Sequence, residues 1–480
     1  MWSLSVVMTN VDPEDVLEVA SGEDEQPVHA LRPHDPDPSF TKSLDEIVER
    51  FRNRPLDSEL TGTYPRSLAS RPVEKRARHP LWRDSVTVQM QVLRLCSVFA
   101  LPPGVNLERA AGFDPLGGMQ NHTAELTRAL EARGVRQTVI TAFRPGAPAL
   151  ERTGSTEIHR LGLPLRRLRQ LYSVAALPLV AKSARRADVI HVHQGEDLAV
   201  IPLGLLARRL GRAPIVITLH CSVDHTFEPS TASQHVVKRI GAPIERRGIR
   251  TAQGVIVLST RLRAKLVAQG IGPERIHLIP SGVNSRRFEG EKADPLPHLG
   301  RPRVLFVGRL VAQKNPLGLV RAAEHIDPRA SIVLVGDGPH RRMIENEMAR
   351  SDARVHLTGL VPREDIPAYL TNADVLVLPS SYEELGSVMI EAMRAGLPIV
   401  ATKTGGIPDI VEDGRNGLLV PPGDSRALAR AINRVLEDRS FAAKLGREGL
   451  RRSQRFEWSQ LADEVLATYE SARGRDHCRN

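Results

Sequence analysis

The chain has 480 residues, too long for one ordinary α/β domain and comfortable for two. With 41% hydrophobic and 25% charged residues it has the composition of a soluble globular protein. Its formal charge of +10 is carried by Arg scattered over many segments without a nucleic-acid motif, which argues against nucleic acid and suits a cleft for anionic ligands.

Residues 1–88 are rich in Pro, Asp, Glu and Arg, have weak hydrophobic periodicity and repeat turn pairs such as Asp35-Pro36 and Asp37-Pro38. We read them as a disordered extension. Met90 opens a clean strand, so the working protein is expected to start there; a native mass near 52.8 kDa would overturn that expectation. The N-terminus lacks the basic, apolar, small-residue order of a secretory signal. Cys96, Cys221 and Cys478 form neither a disulfide framework nor a zinc pattern, which points to the cytoplasm.

From residue 89 the pattern is regular. Strands are expected at 92–99, 138–143, 189–193, 215–219 and 255–258, with helices between them, the first being amphipathic over 119–133 behind Gly117-Gly118. The apolar stretch 198–219 is broken by Arg208, Arg209 and Arg212 and reads as helix, turn and strand, not as a membrane span. Residues 280–302 turn to Pro, Gly and charge, as a linker does. A second alternating series follows, with strands at 304–307, 332–335, 354–357, 375–378 and 399–401. Short apolar runs alternating with helices imply parallel strands buried on both faces. The fold class is therefore α/β, with two Rossmann-like domains, 89–284 and 285–455, facing across a cleft where ligands bind.

The stretch VLFVGRLVAQK ends a buried strand at Gly308 and follows it with Arg309 and Lys314. Glycine lets backbone approach a ligand, Arg can grip phosphate oxygens in a fork, and Lys adds a point charge. Together they suit a diphosphate; alone they would read as solvated surface cations. In YEELGSVMIEAM, Gly386 and Ser387 should open a helix whose free N–H groups face an anion. Glu391, one turn in, can accept both hydroxyls of a ribose, and Glu383 in the preceding loop is free to face a sugar.

These pieces stand in series with Val335-Gly336-Asp337-Gly338-Pro339, Gly359-Leu360-Val361-Pro362, the run ADVLVLPS from Ala373, Gly405-Gly406-Ile407-Pro408 and Asn416-Gly417-Leu418. The set and its order resemble the family 4 retaining glycosyltransferases of the two-domain B-type (GT-B) fold over roughly residues 90–470. The resemblance implies an acceptor-binding first domain, a nucleotide-sugar-binding second domain, and a helix over 456–472 that crosses back to the first. It implies that Arg309 and Lys314 neutralise the leaving diphosphate, that Glu391 holds the ribose, and that Glu383 binds the transferred sugar. Gly308, Val361, Gly386, Ser387 and Val388 would complete the donor site, with Gly117 and Gly118 closing over it. His220, at a strand end, matches a histidine beside the sugar. The retaining reaction of the family implies front-side displacement, in which leaving-group oxygen helps deprotonate the acceptor.

No Asp-x-Asp follows a strand end, so no metal is expected to be required. His191, His193, His220 and Cys221 could suggest a metal site, but their spacing is unconvincing. For the acceptor, FDPLGGMQ from Phe113 and Leu219-His220-Cys221-Ser222 with Glu228-Pro229 resemble aminoglycoside-pathway enzymes. Those move N-acetylglucosamine from UDP-N-acetylglucosamine to a 2-deoxystreptamine-type aminocyclitol. A polycationic acceptor would want carboxylates, for which Asp114, Glu196, Asp197, Asp224 and Glu228 are candidates. Two alternatives stay open: a lipid or glycan acceptor at a membrane, met by Arg166, Arg167 and Arg169, and a nucleotide-sugar 2-epimerase of the same architecture.

Overall fold

The computed structural model describes residues 90–477 apart from 103, 114–116, 164–170, 196 and 227–231. The segment 1–88, and with it the expected extension, lies outside the described residues.

The first sheet contains β1 (Gln91–Cys96), β2 (Arg136–Ala142), β3 (Leu150–Thr153), β4 (Thr156–Leu161), β5 (Val189–Gln194), β6 (Ile215–Leu219), β7 (Gly254–Val257) and β8 (Ile276–Leu278). Its order is β3-β4-β2-β1-β5-β6-β7-β8, and every pairing but β3 with β4 is parallel. The second contains β9 (Arg303–Val307), β10 (Ser331–Val335), β11 (Val355–Gly359), β12 (Val375–Leu378), β13 (Ile399–Thr402) and β14 (Leu418–Val420). It is parallel throughout, in the order β11-β10-β9-β12-β13-β14. The direction of strand addition reverses between β1 and β5 and again between β9 and β12. Such switch points open a crevice outside the carboxyl ends of the strands.

The strands form because short β-branched and Leu-rich runs can be buried on both faces, as in β6 and β12, where every residue is buried. Residues 198–219 fold as helix Val200–Gly211, a left-handed turn at Arg212 and strand β6. The hairpin β3–β4 and the three-residue strands β8 and β14 escaped the sequence reading. β3 is largely exposed and the other two are too short for a periodic signal.

The last helix, Trp458–His477, lies against the first sheet's lobe although it follows the second lobe in sequence. Tyr469 Oη and His191 Nδ1 are 2.6 Å apart, and Arg208 Nη2 donates to Asp476 Oδ1 at 2.8 Å. The entry into this helix is pinned where Val283 N donates to the Phe456 carbonyl at 2.7 Å. The lobes also meet at helix Thr260–Ala268. There Ser259 Oγ donates to Glu384 Oε1 at 2.5 Å, and Thr260 N and Oγ1 donate to Asp409 at 2.7 and 2.6 Å.

Candidate active site

The loops that follow β9, β10 and β12 converge. β9 is followed by Gly308, whose amide donates to Val335 O at 2.9 Å, while Leu310 N donates to Asp337 O at 3.0 Å. Gly336, at φ +137°, packs so closely that an added Cβ would stand 2.0 Å from the Gly308 carbonyl oxygen. Arg309 is half-buried, and its guanidinium has no hydrogen-bond or ion-pair partner among the described residues. Lys314 sits in the single turn Ala312–Lys314 and pairs with Glu383 of the post-β12 loop. Ser381 N and Oγ both donate to Gln313 O, at 2.9 and 3.1 Å, and so hold the two loops together.

Glu383 and Glu384 are buried but differently partnered. Glu384 accepts from Ser259 Oγ and, at 2.6 Å, from Tyr382 Oη, and burial raises its pKa. It braces the loop from behind, and sequence reasoning passed over it. Gly406 N donates to Glu383 O at 2.9 Å, and a Cβ on Gly405, at φ +54°, would lie 1.8 Å from that same oxygen. The Gly405-Gly406 pair is thus the floor on which the Glu383 loop rests.

Gly386, at φ +76°, turns the chain into helix Ser387–Arg394, which has no side-chain cap. Its first N–H groups and its positive dipole end therefore remain open to an anion. From the first lobe, Gly118 begins helix Gly118–Glu131, and a methyl placed on it would lie 3.5 Å from Ser387 Oγ. Gly117, Gly118, Ser387 and Val388 therefore belong to one neighbourhood spanning both lobes. Glu391 is half-buried and faces Arg363 at 3.4 Å and Arg287 at 4.0 Å. Arg363 follows Val361, which is half-buried beyond β11 and packs on the second-lobe core. Neither arginine was singled out from sequence.

His220 follows β6 and is half-buried. Its Nε2 lies 3.1 Å from His193 Nδ1, and its ring is 4.5 Å, edge to face, from that of His122. Burial is the main reason that the pKa of His220 falls to about 3, with the Arg94 charge adding to it. His122, His191 and His193 are lowered well below the usual imidazole value, again by burial first. Of the residues that suggested a metal site, His191 is occupied by Tyr469 and, at 2.7 Å, by Thr218 Oγ1. His122, His193 and His220 do bring ring nitrogens within 4.8 Å of one another. A metal-ligating imidazole, however, donates its second N–H to an acceptor. His193 instead turns Nε2 toward Arg94, whose Nη2 and Nε lie 2.7 and 3.2 Å away and can only donate. The set does not fit a cation.

Of the acidic candidates for an acceptor, Asp197 and Asp224 lie among the described residues. Asp197 is buried and accepts from Ala199 N as a local cap. Asp224 pairs with Arg246 at 3.2 Å. Asp197 is thus held by a backbone amide and Asp224 by a partly exposed guanidinium. Asp114, Glu196, Glu228, Arg166, Arg167 and Arg169 lie outside the described residues.

Two parallel-sheet lobes, with a cation-bearing glycine loop, an uncapped helix and carboxylates at the second switch point, define a GT-B glycosyltransferase. The Glycosyltransferase Family 4 model matches residues 116–287 and the Glycosyl transferases group 1 model residues 288–452, and the chain belongs to this family. It is 33% identical over 388 residues to a 2-deoxystreptamine glucosyltransferase of Streptomyces kanamyceticus, covering 75% of this chain and 100% of that one. It is 35% identical over 356 residues to a 2-deoxystreptamine N-acetyl-D-glucosaminyltransferase of Streptomyces fradiae, covering 68% and 84%. Among solved structures, sucrose-phosphate synthase from Thermosynechococcus elongatus superposes with a TM-score of 0.67 at 27% identity, over 80% of this chain and 98% of that one. The protein is a transferase, which removes the epimerase alternative. No helix among the described residues is long and apolar enough to cross a membrane.

Proposed function

We propose that this enzyme transfers N-acetylglucosamine from UDP-N-acetylglucosamine, with retention, to a hydroxyl of 2-deoxystreptamine or a closely similar aminocyclitol in the cytoplasm. The observation that carries the acceptor is the similarity, over 75% and 68% of this chain, to two relatives named for 2-deoxystreptamine. In this reading the diphosphate lies between Arg309, Lys314 and the start of helix Ser387–Arg394. Their charge and dipole offset the negative charge that grows on the leaving group. Glu391 accepts the ribose hydroxyls, Glu383 the hydroxyls of the sugar, and Gly117-Gly118 closes from the first lobe. The acceptor proton leaves with phosphate oxygen, so the protein supplies positioning and charge and no metal is required.

The test is product analysis with UDP-N-acetylglucosamine and UDP-glucose as donors, and 2-deoxystreptamine and a phosphoinositide as acceptors. An α-linked N-acetylhexosamine on 2-deoxystreptamine, formed equally in chelator, is expected. A β-linkage would overturn retention, and glucose transfer alone would reassign the donor. A product only on the lipid would overturn the acceptor.

A further inference from the structure

Arg94 is fully buried in the middle of β1. Its side-chain partners are Thr127, Gln137 and His193, and among the described residues none is a carboxylate. A buried cation without a counter-ion is destabilising unless something else requires it.

The requirement can be read from donors and acceptors. Guanidinium has five N–H groups and no acceptor, so His193 Nε2 must carry the lone pair that receives it. His193 is then neutral, with its one proton on Nδ1. That Nδ1–H faces His220 Nε2 at 3.1 Å, so His220 Nε2 is the acceptor and His220 in turn is neutral with its proton on Nδ1. A second proton on either ring would set two N–H groups against each other. No described residue accepts from His220 Nδ1, and His220 is the half-buried end of the chain, beyond the carboxyl end of β6.

We propose that Arg94 is a positioning residue that, through His193, locks His220 as a neutral ring offering an Nδ1–H, and no lone pair, to the donor cleft. The proposal deepens the reading of His220 as a sugar-side residue and rests on it. His220 so locked can donate to a sugar hydroxyl or to the ring-side oxygen of the leaving group. It cannot remove the acceptor proton, because its lone pair already receives the His193 proton.

The tautomers are read directly by long-range proton–nitrogen NMR on the intact, 15N-histidine-labelled protein without substrate. His193 and His220 should both show a bare Nε2 and a protonated Nδ1 at pH 7. An Nε2–H or an imidazolium at His220 overturns the proposal. In Arg94→Met, the His220 pattern should change and kcat should fall about tenfold or more, as a slightly misplaced group allows, with donor KM nearly constant. Arg94→Lys should restore part of the loss. An unchanged tautomer or unchanged kcat in Arg94→Met overturns the role. Should that variant not fold, His220→Asn and His220→Gln decide, since Asn places its amide near the Nδ1 position and Gln near Nε2. The higher kcat in Asn supports the lock, and the higher kcat in Gln overturns it. Absence of transfer by the unaltered enzyme would bring down the proposed reaction, whereas the spectrum of the free protein tests the lock by itself.

Discussion

The guanidinium of Arg363 lies 3.4 Å from the carboxylate of Glu391. The same Nη2 reaches Glu125 of the first lobe at 3.7 Å, so one cation joins Glu391, the proposed ribose ligand, to the helix Gly118–Glu131. Arg363 thereby orients the Glu391 carboxylate. Ribose contacts exist in both ground and transition states, so their loss should appear in KM more than in kcat. Glu391→Ala should raise donor KM by about tenfold to a hundredfold, the worth of hydrogen bonds to a charged group. Arg363→Ala should move KM the same way by less. Initial-rate kinetics over a donor series would settle it, and an unchanged KM in both variants would remove Glu391 from the ribose site.

Arg309 and Lys314 share a proposed task but not a surrounding. Arg309 has no side-chain partner among the described residues, whereas Lys314 pairs with the buried Glu383. Removing either should lower kcat by roughly 10²- to 10³-fold, or about 3–4 kcal/mol of transition-state stabilisation. Only Lys314→Ala should also lower the melting temperature, because it strands a buried carboxylate. Parallel kinetics and thermal unfolding separate the two effects. Near-normal turnover in Arg309→Ala would show the donor site to be wrongly placed.

The floor under Glu383 gives a sharper structural test. A Cβ on Gly405 would stand 1.8 Å from the Glu383 carbonyl oxygen, at a backbone φ of +54° that side chains rarely adopt. Gly405→Ala should therefore push the loop away from Lys314 and cut turnover by at least an order of magnitude in the folded protein. A crystal structure of the variant with Glu383 unmoved and full activity would refute this account.

What could be read in the sequence follows from how local each signal is. Strands β6 and β12 have the bounds expected of them, since a buried parallel strand is a self-contained apolar run. Gly308-Arg309, Gly386-Ser387 and the Glu383/Glu391 spacing are also local, and the fold gathers them around one switch point. Arg94 was invisible for the opposite reason. Within QVLRLC it looks like a flaw in an apolar strand, and its partners Thr127 and His193 lie 33 and 99 positions away. Arg363 is similar, because its meaning comes from Glu125 and Glu391 on separate elements. For the acidic acceptor candidates, charge type is legible in sequence, while the backbone amide that meets Asp197 and the guanidinium that meets Asp224 are not.

The buried histidines make acid the weak side of this fold. His122, His191, His193 and His220 are all lowered in the folded protein, by burial before any charge, while unfolded histidine titrates near 6.5. Below that pH the unfolded chain binds protons that the folded one refuses. The stabilisation they confer is therefore present above about pH 6.5 and lost as pH falls, at up to about 1.4 kcal/mol per pH unit for each ring. Glu245, buried against Ser222 and Val223, works in the other direction. Burial raises its pKa from 4.5 to about 7, so the folded protein keeps a proton that the unfolded chain releases between those values. Glu245, and Glu384 in the same direction, offset the four rings only in part, so unfolding near pH 5.5 takes up protons net. Denaturant unfolding at pH 7.5 and 5.5 should show a loss of several kcal/mol, and Glu245→Gln should make the pH dependence steeper by about one proton. Equal stability at the two values would count against four neutral buried rings, and so against the Arg94–His193–His220 chain of lone pairs.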